Sequence, residues 1–569
     1  MSSLTAKVDL ILMGARSPSV FWPLGQVHNC APNPERLASL VDEWLTSSNV
    51  EAVLFWHAKL GEPSPARVLA ALESVGQLWH AGLRLGLGEL PRGIDFVCPT
   101  WMLNANADAE IESSSWRVSL LACLVRRDVL RHSNGLRRGF ETLEGCGLEL
   151  GHRLMKAGVI VRHMPQLADH ATSRQDVPAL SLNDEIRFLS HRFGDFWTLY
   201  AAARMLISGF ASAVPLARSV ARVLREAPAE KLQPFSPRGE TSPSPACGSV
   251  TVLIPTVDRY PYLRKLLSQL ENQTILPLEV VIVDQTARSR RDPSIADAVS
   301  VVPVRVMYLD KPGQCSARNL GLLAAQGDYV LFIDDDDEVE PDLIERHLSC
   351  LARFDADVSA GVAEEAGAGP LPRDFTFLRL SDVFPTNNCM IRKEVLKRSG
   401  LFDLAYDRGS RADGDLGMRV YLSGAVMILN PEISVFHHHA PMGGLRTHKA
   451  RKITYASSRQ SLVKRHFPSA TELYLCSRYF TERQVREEVW LRALGTLAVR
   501  GSKGRKLLKT LLGIFLMPHT LWRIRQARNA AAAMLRMHPS IPAFPFTTGD
   551  SASSSAAIQE IRASSYSQL

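Results

Sequence analysis

The sequence lacks the features that mark secreted and membrane-spanning proteins. Its start, Met1-Ser2-Ser3-Leu4, has no basic residues followed by an apolar core, so we expect no secretory signal. No uninterrupted apolar run of about 18 to 20 residues occurs, which argues against a spanning helix. The nine cysteines are scattered, without paired or metal-ligand spacing, as is typical of a reducing cytosol. We therefore expect a cytoplasmic protein.

Signatures of DNA or RNA binding are also missing, so nucleic acid is not an expected partner. The net charge of +8 and the pI near 9.0 are modestly basic. Such a charge suits an anionic nucleotide substrate or an anionic membrane surface. A chain of 569 residues is too long for one hydrophobic core, so about two or three domains are expected.

A Pro- and Ser-rich segment, 226–249, is predicted to be a linker between two domains. The block after it alternates strands and helices, which predicts an α/β domain with a parallel sheet and right-handed crossovers. The predicted strands are 250–255, 278–284, 304–309 and 329–333, and the predicted helices are 262–270, 316–326 and 412–422. We expect a catalytic domain over 250–450, a basic helical region over 451–546 and a disordered tail over 547–569.

The most informative feature is a run of four aspartates, Asp334 to Asp337, directly after the apolar strand 329–333. Four like charges at a strand end cost free energy unless a cation lies among them. Hard divalent cations prefer carboxylate oxygens and often share them with substrate phosphates. Open α/β sheets bind ligands at the carboxyl ends of their strands. The run therefore favours a metal-phosphate site over the alternative, an acidic solvated loop.

An internal repeat supplies a second clue. The segment from Cys123 to Arg131 matches the segment from Cys389 to Lys397, and Glu149 to Arg153 matches Asp415 to Arg419, both pairs at an offset of 266 residues. A constant offset over that span indicates a divergent duplication. At the position of the four aspartates the first copy has His57-Ala58-Lys59-Leu60, which cannot hold a hard cation. We interpret residues 1–225 as a degenerate, non-catalytic copy.

Several motifs in the second copy occur together and in order. They are Val252-Leu253-Ile254-Pro255-Thr256, Val283-Asp284-Gln285-Thr286, Gly313-Gln314-Cys315-Ser316-Ala317-Arg318-Asn319-Leu320-Gly321, Asp334-Asp335-Asp336-Asp337 and Asp413-Gly414-Asp415-Leu416. With these motifs the second copy resembles a family 2 glycosyltransferase of the GT-A fold. The resemblance implies an α/β chain with tandem GT-A domains (Rossmann-like nucleotide-diphospho-sugar transferase domains) and a helical C-terminal region.

The resemblance also implies a donor site. Asp284 would hydrogen-bond the nucleotide base, and Pro255 and Thr256 would shape the base pocket. Arg318 would contact the nucleotide, the alternative being a surface helix arginine. Asp334 and Asp335 would bind the donor on the side of the ribose and diphosphate.

The same resemblance implies a Mn²⁺ or Mg²⁺ site. Asp334 and Asp336 form the D-x-D element, in which Asp336 would ligate the metal and Asp334 would help through ribose or metal. His437, first of three consecutive histidines, could complete the site, and imidazole suits manganese better than magnesium. Its alternative is a buried histidine under the following loop, in which Gly443, Gly444 and Arg446 would lie over the donor phosphates.

Two acidic residues are candidates for the catalytic base. The resemblance points to Asp413, although Ala412 stands where the family has Glu, and a base is needed to take the proton from an acceptor hydroxyl. Asp415 is the second candidate. Its alternative role is structural, as a carboxylate near a helix N-terminus.

The segment 503–536 combines leucine-rich apolar residues with basic flanks. This pattern suits an interfacial helix on an anionic inner leaflet, or equally a core helix with a solvated basic face. Taken together, the resemblance predicts an inverting, metal-dependent glycosyltransferase that moves a sugar from a UDP-sugar to a glycan or lipid-linked acceptor in cell-surface polysaccharide synthesis. The alternative is a catalytically silent scaffold that binds glycans or nucleotide sugars.

Overall fold

The computed structural model describes residues 7–14, 21–169, 179–236, 244–365, 369–441, 443–445 and 458–544. It divides the chain into two compact units, Met1–Glu240 with Leu378–Leu380, and Thr241–Phe377 with Ser381–Leu569. The main boundary lies within the predicted linker, but the first part of that segment is packed: Phe235 is buried against His132 of the first unit. The predicted disordered tail, 547–569, lies outside the described residues.

The first unit is built on a sheet with the strand order β2-β1-β3-β6-β4-β7-β5. Its strands are β1 (Val8–Met13), β2 (Val27–Cys30), β3 (Ala52–His57), β4 (Leu78–His80), β5 (Ser113–Ser114), β6 (Ala122–Arg126) and β7 (Val161–His163). Its helices are α1 (Pro34–Ser47), α2 (Pro65–Glu73), α3 (Arg127–His132), α4 (Leu143–Lys156), α5 (Leu182–Phe193), α6 (Asp195–Ile207) and α7 (Ala213–Val223). The central strands are apolar runs buried along nearly their whole length, as expected where helices cover both faces of a sheet.

The second unit has a longer sheet with the order β10-β9-β8-β11-β15-β13-β16-β12. The strands of this sheet are β8 (Val250–Thr256), β9 (Glu279–Asp284), β10 (Val304–Tyr308), β11 (Tyr329–Ile333), β12 (Asp337–Val339), β13 (Val358–Glu365), β15 (Asn388–Arg392) and β16 (Met427–His437), and the short strand β14 (Arg379–Leu380) pairs with β16 outside this order. The first helices of the unit are α8 (Tyr260–Glu271), α9 (Gln314–Ala324), α10 (Leu343–Arg353), α11 (Val395–Ser399) and α12 (Ala412–Leu422). The four predicted strands and three predicted helices are all present, with ends shifted by about two residues.

The four predicted strands of the second unit are parallel, as expected, and the sheet as a whole is mixed. Strands β10, β9, β8 and β11 are mutually parallel, but β15 runs antiparallel to β11 and to β13. The physical reason is the connection before β15. Between β13 and β15 the described residues contain no α-helix, so no helical crossover forces a parallel return.

The two units share the same sequence of strand directions. In the first unit β3 is parallel to β1 and antiparallel to β6. In the second unit β11 is parallel to β8 and antiparallel to β15. The register repeats as well, because Phe55 of β3 faces Cys123 of β6 and Phe332 of β11 faces Cys389 of β15. The two cysteines are 266 residues apart, the offset found in the sequence. The chain is therefore an α/β protein with two related sheets.

Four further helices, α13 (Ala470–Tyr479), α14 (Glu482–Gly495), α15 (Lys503–Phe515) and α16 (Met517–Met537), form the helical C-terminal region. Helices α13 and α14 each begin with a capping box, at Ser469 and Thr481, which satisfies free N–H groups at the helix start. Pro518 begins α16 just after α15 ends. None of the helices within the described residues is long and apolar enough to cross a membrane.

Candidate active site

The candidate site lies at the carboxyl edge of the parallel strands in the second unit. Thr256 ends β8 and is in register with Asp284, which ends β9. The acidic run begins one residue after β11, the other parallel neighbour of β8. Because parallel strands end at one edge of a sheet, these residues are brought together from positions far apart in the chain.

The first two aspartates face arginines. Asp334 accepts a hydrogen bond from Nη2 of Arg318 at 3.0 Å, and its side chain is about one third exposed (31%). Asp335 is buried, and its Oδ2 accepts from the hydroxyl of Thr256 at 2.7 Å. Its Oδ1 accepts from Nη1 of Arg259 at 2.8 Å. Burial raises the pKa of Asp335 to about 6, although Arg259 and Thr256 oppose this shift.

Arg259 also contacts the third aspartate. Its Nη1 lies 2.8 Å from Oδ1 of Asp336, whose side chain is almost fully buried. The other oxygen, Oδ2, accepts from the backbone N–H of Ala440 at 2.7 Å. One guanidinium therefore bridges two consecutive buried carboxylates.

The fourth aspartate is paired with the predicted histidine ligand. His437 Nδ1 lies 2.7 Å from Oδ1 of Asp337 and 3.8 Å from Oδ1 of Asp336. The pairing of β12 with β16 places Asp337 opposite His437. Burial raises the pKa of Asp337 to about 7. Burial lowers the pKa of His437, but the hydrogen bond to Asp337 together with the negative charges of Asp337, Asp336 and Asp334 raises that pKa on balance.

The donor types suit a divalent cation, because the run supplies hard carboxylate oxygens and His437 adds an imidazole. Over the residues that the structure describes, however, no group of three or more such side chains is arranged to hold a metal ion. The carboxylates are engaged with Arg318, Arg259 and His437 instead. The chemistry of the predicted site fits a cation, and binding one requires these contacts to rearrange.

The loop after the histidines packs against Arg259. Gly444 donates its N–H to the carbonyl of Val257 at 2.8 Å. Gly443 and Gly444 both have positive φ values, 68° and 70°, which glycine adopts without strain. A Cβ on Gly444 would lie 2.6 Å from Nη2 of Arg259, so only glycine allows this approach. Arg446, also predicted for this loop, lies outside the described residues.

The predicted base pocket is closed by a tyrosine. Asp284 is fully buried; its Oδ2 accepts from the hydroxyl of Tyr260 at 2.7 Å, and its Oδ1 accepts from the N–H of Thr286 at 2.9 Å. Pro255 precedes Thr256 at the end of the adjoining strand and is partly exposed. The structure thus brings Pro255, Thr256 and Asp284 to neighbouring strand ends.

Arg318 projects from α9 toward the acidic run. Its Nε is buried and has no hydrogen-bond partner among the described residues, so one donor is available. The N-terminus of α9 is fixed by Asp407, whose Oδ1 accepts from the N–H groups of Cys315 and Ser316 at 2.8 Å each. Such a cap orients the first turns of the helix, and with them Arg318.

The two candidate bases on α12 differ in their surroundings. Asp415 is fully buried, with Oδ2 2.8 Å from Nη2 of Arg419 and Oδ1 accepting from the hydroxyl of Tyr479 at 2.8 Å. Asp413 is exposed, and within the described ranges it has neither a hydrogen bond nor an ion pair. Within the described residues, Asp413 is therefore the more accessible of the two carboxylates.

The first unit repeats the buried pair on α4. Glu149 Oε2 lies 3.1 Å from Nε of Arg153, and Arg153 donates to the carbonyl of Ser133 at 2.6 Å. Arg419 donates in the same way to Ser399, again 266 residues later. In contrast, His57 stands where the acidic run would be, its Nδ1 accepting from the N–H of Lys59. The first unit thus has a buried carboxylate–arginine pair but no acidic run. This indicates that the equivalent pair of Asp415 and Arg419 has a structural role.

Sequence reasoning missed Arg259, Tyr260 and Tyr479. Arg259 and Tyr260 directly follow the first strand of the second unit, the position where α/β folds place ligand contacts, and this signal was available. Tyr479 is 64 residues from Asp415, and no local pattern connects them.

Comparisons with known proteins point to the same family as the sequence motifs. The family model described as glycosyl transferase family 2 matches residues 251–397. GlyA, a glycosyltransferase of Streptococcus pneumoniae, is 32% identical over 114 residues, which is 20% of this chain and 16% of GlyA. YwdF, an uncharacterized glycosyltransferase of Bacillus subtilis, is 26% identical over 27% of this chain and 62% of YwdF.

The crystal structure of TarS 1–349 from S. aureus is similar over 53% of this chain and 95% of that chain, with 15% identity and a TM-score of 0.32. The chain spans less than two thirds of the length of GlyA and of YwdF. The family match covers β8, β9, β11 and the acidic run, whereas Asp413, Asp415 and His437 lie beyond it. Residues 251–397 of this chain are a glycosyl transferase family 2 domain.

Proposed function

We propose that the second unit is an inverting, metal-dependent glycosyltransferase that moves a sugar from a UDP-sugar to a glycan or lipid-linked acceptor in the cytoplasm, in cell-surface polysaccharide synthesis. The observation that supports this most is the acidic run, which lies at the carboxyl edge of the sheet between two buried arginines. A site with both signs of charge can hold a cation and an anionic diphosphate together.

In this proposal the nucleotide lies along the strand ends. Asp284, beside Pro255 and Thr256, would accept a hydrogen bond from the base after Tyr260 has released its Oδ2. Arg318, whose buried Nε has no hydrogen-bond partner among the described residues, would move to donate to the diphosphate. Asp334, Asp336 and His437 would hold Mn²⁺ or Mg²⁺, with Asp335 on the nucleotide side. When bound, that metal would neutralise charge on the leaving diphosphate.

Asp413 is proposed as the general base. Its exposed and unpaired carboxylate can accept the proton of an acceptor hydroxyl while the hydroxyl oxygen attacks the anomeric carbon. The bond from that carbon to the diphosphate oxygen breaks in the same step, so a single displacement inverts the anomeric configuration. Asp415 holds α12 in place through Arg419 and Tyr479, and is a positioning residue.

The alternative function is a silent scaffold that binds nucleotide sugars or glycans. One contact favours it, because Arg259 already neutralises Asp335 and Asp336. A guanidinium in that position can replace a cation electrostatically, but it provides no open coordination position for a phosphate oxygen.

The test is release of nucleoside diphosphate from a panel of nucleotide sugars with Mn²⁺, on the full chain. We expect release from at least one donor, abolished in Asp336→Ala and unchanged in Asp355→Asn. Asp355 is a matched control, since it is an exposed aspartate of the same unit and its φ of 37° is tolerated by asparagine. No release from any donor would favour the scaffold. Full activity of Asp336→Ala would refute the assignment of the site.

A further inference from the structure

Helix α15 has five large apolar side chains on its solvent side. Their spacing along the helix, at positions i, i+1, i+4, i+7 and i+8, places them on one face. Each is between 54% and 79% exposed. We call this surface the apolar face of α15, and its residues are Leu507, Leu508, Leu511, Ile514 and Phe515.

The opposite face of the helix is the one that packs on the protein. Lys509 is buried, and its Nζ donates to the carbonyls of Ser461 and Lys464 at 2.8 Å each. Gly513 is also buried, and a Cβ there would lie 2.3 Å from Cδ2 of Leu497. Because α15 is held by this side, its leucines do not form the core of the unit. The structure therefore distinguishes between the two interpretations that the sequence left open for 503–536.

The sequence on both sides of α15 carries only positive charge. Between residues 489 and 549 the sequence contains no aspartate or glutamate. Lys503, Arg505 and Lys506 are exposed at the N-terminal end of α15, where the helix dipole already favours anions. Ten basic residues fall in this stretch. They are Arg492, Arg500, Lys503, Arg505, Lys506, Lys509, Arg523, Arg525, Arg528 and Arg536.

The basic surface continues onto α16. Arg523, Arg525 and Arg528 are exposed there, beside the exposed side chains of Leu521 and Trp522. Exposed tryptophan and leucine next to arginine is the composition of helices that lie at a lipid-water interface. With 13 residues, α15 is about 20 Å long, too short to span a bilayer and suited to lie along its surface.

We infer that the apolar face of α15, together with the exposed arginines of α16, binds the surface of an anionic lipid bilayer. A second copy of this chain is a poorer partner, because the same surface would bring the exposed basic residues of α15 and α16 against their own copies. An anionic leaflet offers negative headgroups to the basic residues and an acyl boundary to the leucines. This inference does not depend on the proposed enzyme activity.

The test measures co-sedimentation of the full chain with vesicles of phosphatidylcholine alone and with vesicles that also contain phosphatidylglycerol. We expect binding to the anionic vesicles, weak binding to the neutral ones, and a decrease as salt is raised. Leu511→Ser with Phe515→Ser should weaken binding at least about tenfold. Arg523→Gln and Arg525→Gln should each weaken binding to the anionic vesicles about fivefold.

The matched control is Phe196→Ser with Ile207→Ser on α6. These side chains are each 73% exposed, so the change removes comparable apolar surface elsewhere, and vesicle binding should be retained. The thermal unfolding midpoint checks that each variant is folded. Equal loss in both double variants, or no binding to anionic vesicles, would overturn the inference. So would a dimer in sedimentation equilibrium that only Leu511→Ser with Phe515→Ser dissociates.

Discussion

Replacement of Arg259 by methionine tests the electrostatics of the candidate site directly. Methionine keeps much of the volume of the side chain and removes its charge. The change leaves Asp335 and Asp336 adjacent, buried and without their shared cation. We expect the second unit to be strongly destabilised in the absence of divalent ions.

The magnitude follows from the geometry. Opposite charges about 4 Å apart attract by about 4 kcal/mol at an effective dielectric constant near 20, and Arg259 makes two such contacts. The attraction is partly offset in the native protein by the cost of desolvating the guanidinium. Removing one partner of a buried ion pair typically costs about 3–5 kcal/mol, which corresponds to a decrease of about 5–15 °C in the unfolding midpoint of a unit of this size.

The assay is thermal unfolding of the full chain with and without Mn²⁺. A divalent cation can compensate for the lost charge, so Mn²⁺ should raise the midpoint of Arg259→Met more than that of the unchanged protein. Arg346→Met is the control, since Arg346 pairs with Asp342 on the surface of α10 and such pairs contribute less than about 1 kcal/mol. If Arg259→Met unfolded at the unchanged midpoint, or gained nothing from Mn²⁺, the assignment of Arg259 as counter-ion of the acidic run would be wrong.

Four further changes test the roles of individual side chains. Asp413→Asn should reduce kcat about 10²- to 10⁴-fold while leaving the unfolding midpoint unchanged; an unaltered kcat would exclude Asp413 as the base. Asp415→Asn and Glu149→Gln each break a buried ion pair and should destabilise their own units by about 3–5 kcal/mol, measured as separate unfolding transitions. If Asp415→Asn lost activity without any loss of stability, the structural role of Asp415 would be contradicted. Burial lowers the pKa of His347 from 6.5 to about 4, so neutral His347 contributes stability above pH 6.5 that is lost as the pH falls toward 4. His347→Gln should therefore reduce the change in unfolding free energy between these pH values by about 3 kcal/mol. An unchanged pH dependence in this variant would contradict the prediction.

The sequence predicted the strands of the second unit well because their apolar runs are buried on both faces. It placed Asp334 at a strand end for the same reason. It could not predict Arg259 as partner of Asp335, because that contact joins residues 76 positions apart and depends on which strand ends meet. Nor could periodicity show on which side of α15 the leucines lie, since an outward and an inward apolar face have the same spacing.

The choice between Asp413 and Asp415 also required the structure. Both lie in the first turn of α12, where carboxylates are favoured by the helix dipole. They differ in their partners, because Asp415 accepts a hydrogen bond from Tyr479, and Tyr479 belongs to a helix beyond the family-matched segment. The repeat offered one hint, because Glu149 and Arg153 keep the same spacing as Asp415 and Arg419 in a copy that has no acidic run.

Helix α13 has a practical consequence for where this chain can be shortened. Its Tyr479 and Tyr474 donate hydrogen bonds to Asp415 and Asp403, at 2.8 Å and 2.6 Å. Farther on, the carbonyl of Pro542 accepts from the N–H of Leu401 at 2.9 Å. A fragment cut after residue 450 would keep Asp403 and Asp415 but lose these donors and acceptors, which leaves two buried carboxylates with fewer partners. We therefore expect the smallest fragment of the second unit that folds by itself to extend to about residue 544, well past the end of the family-matched segment.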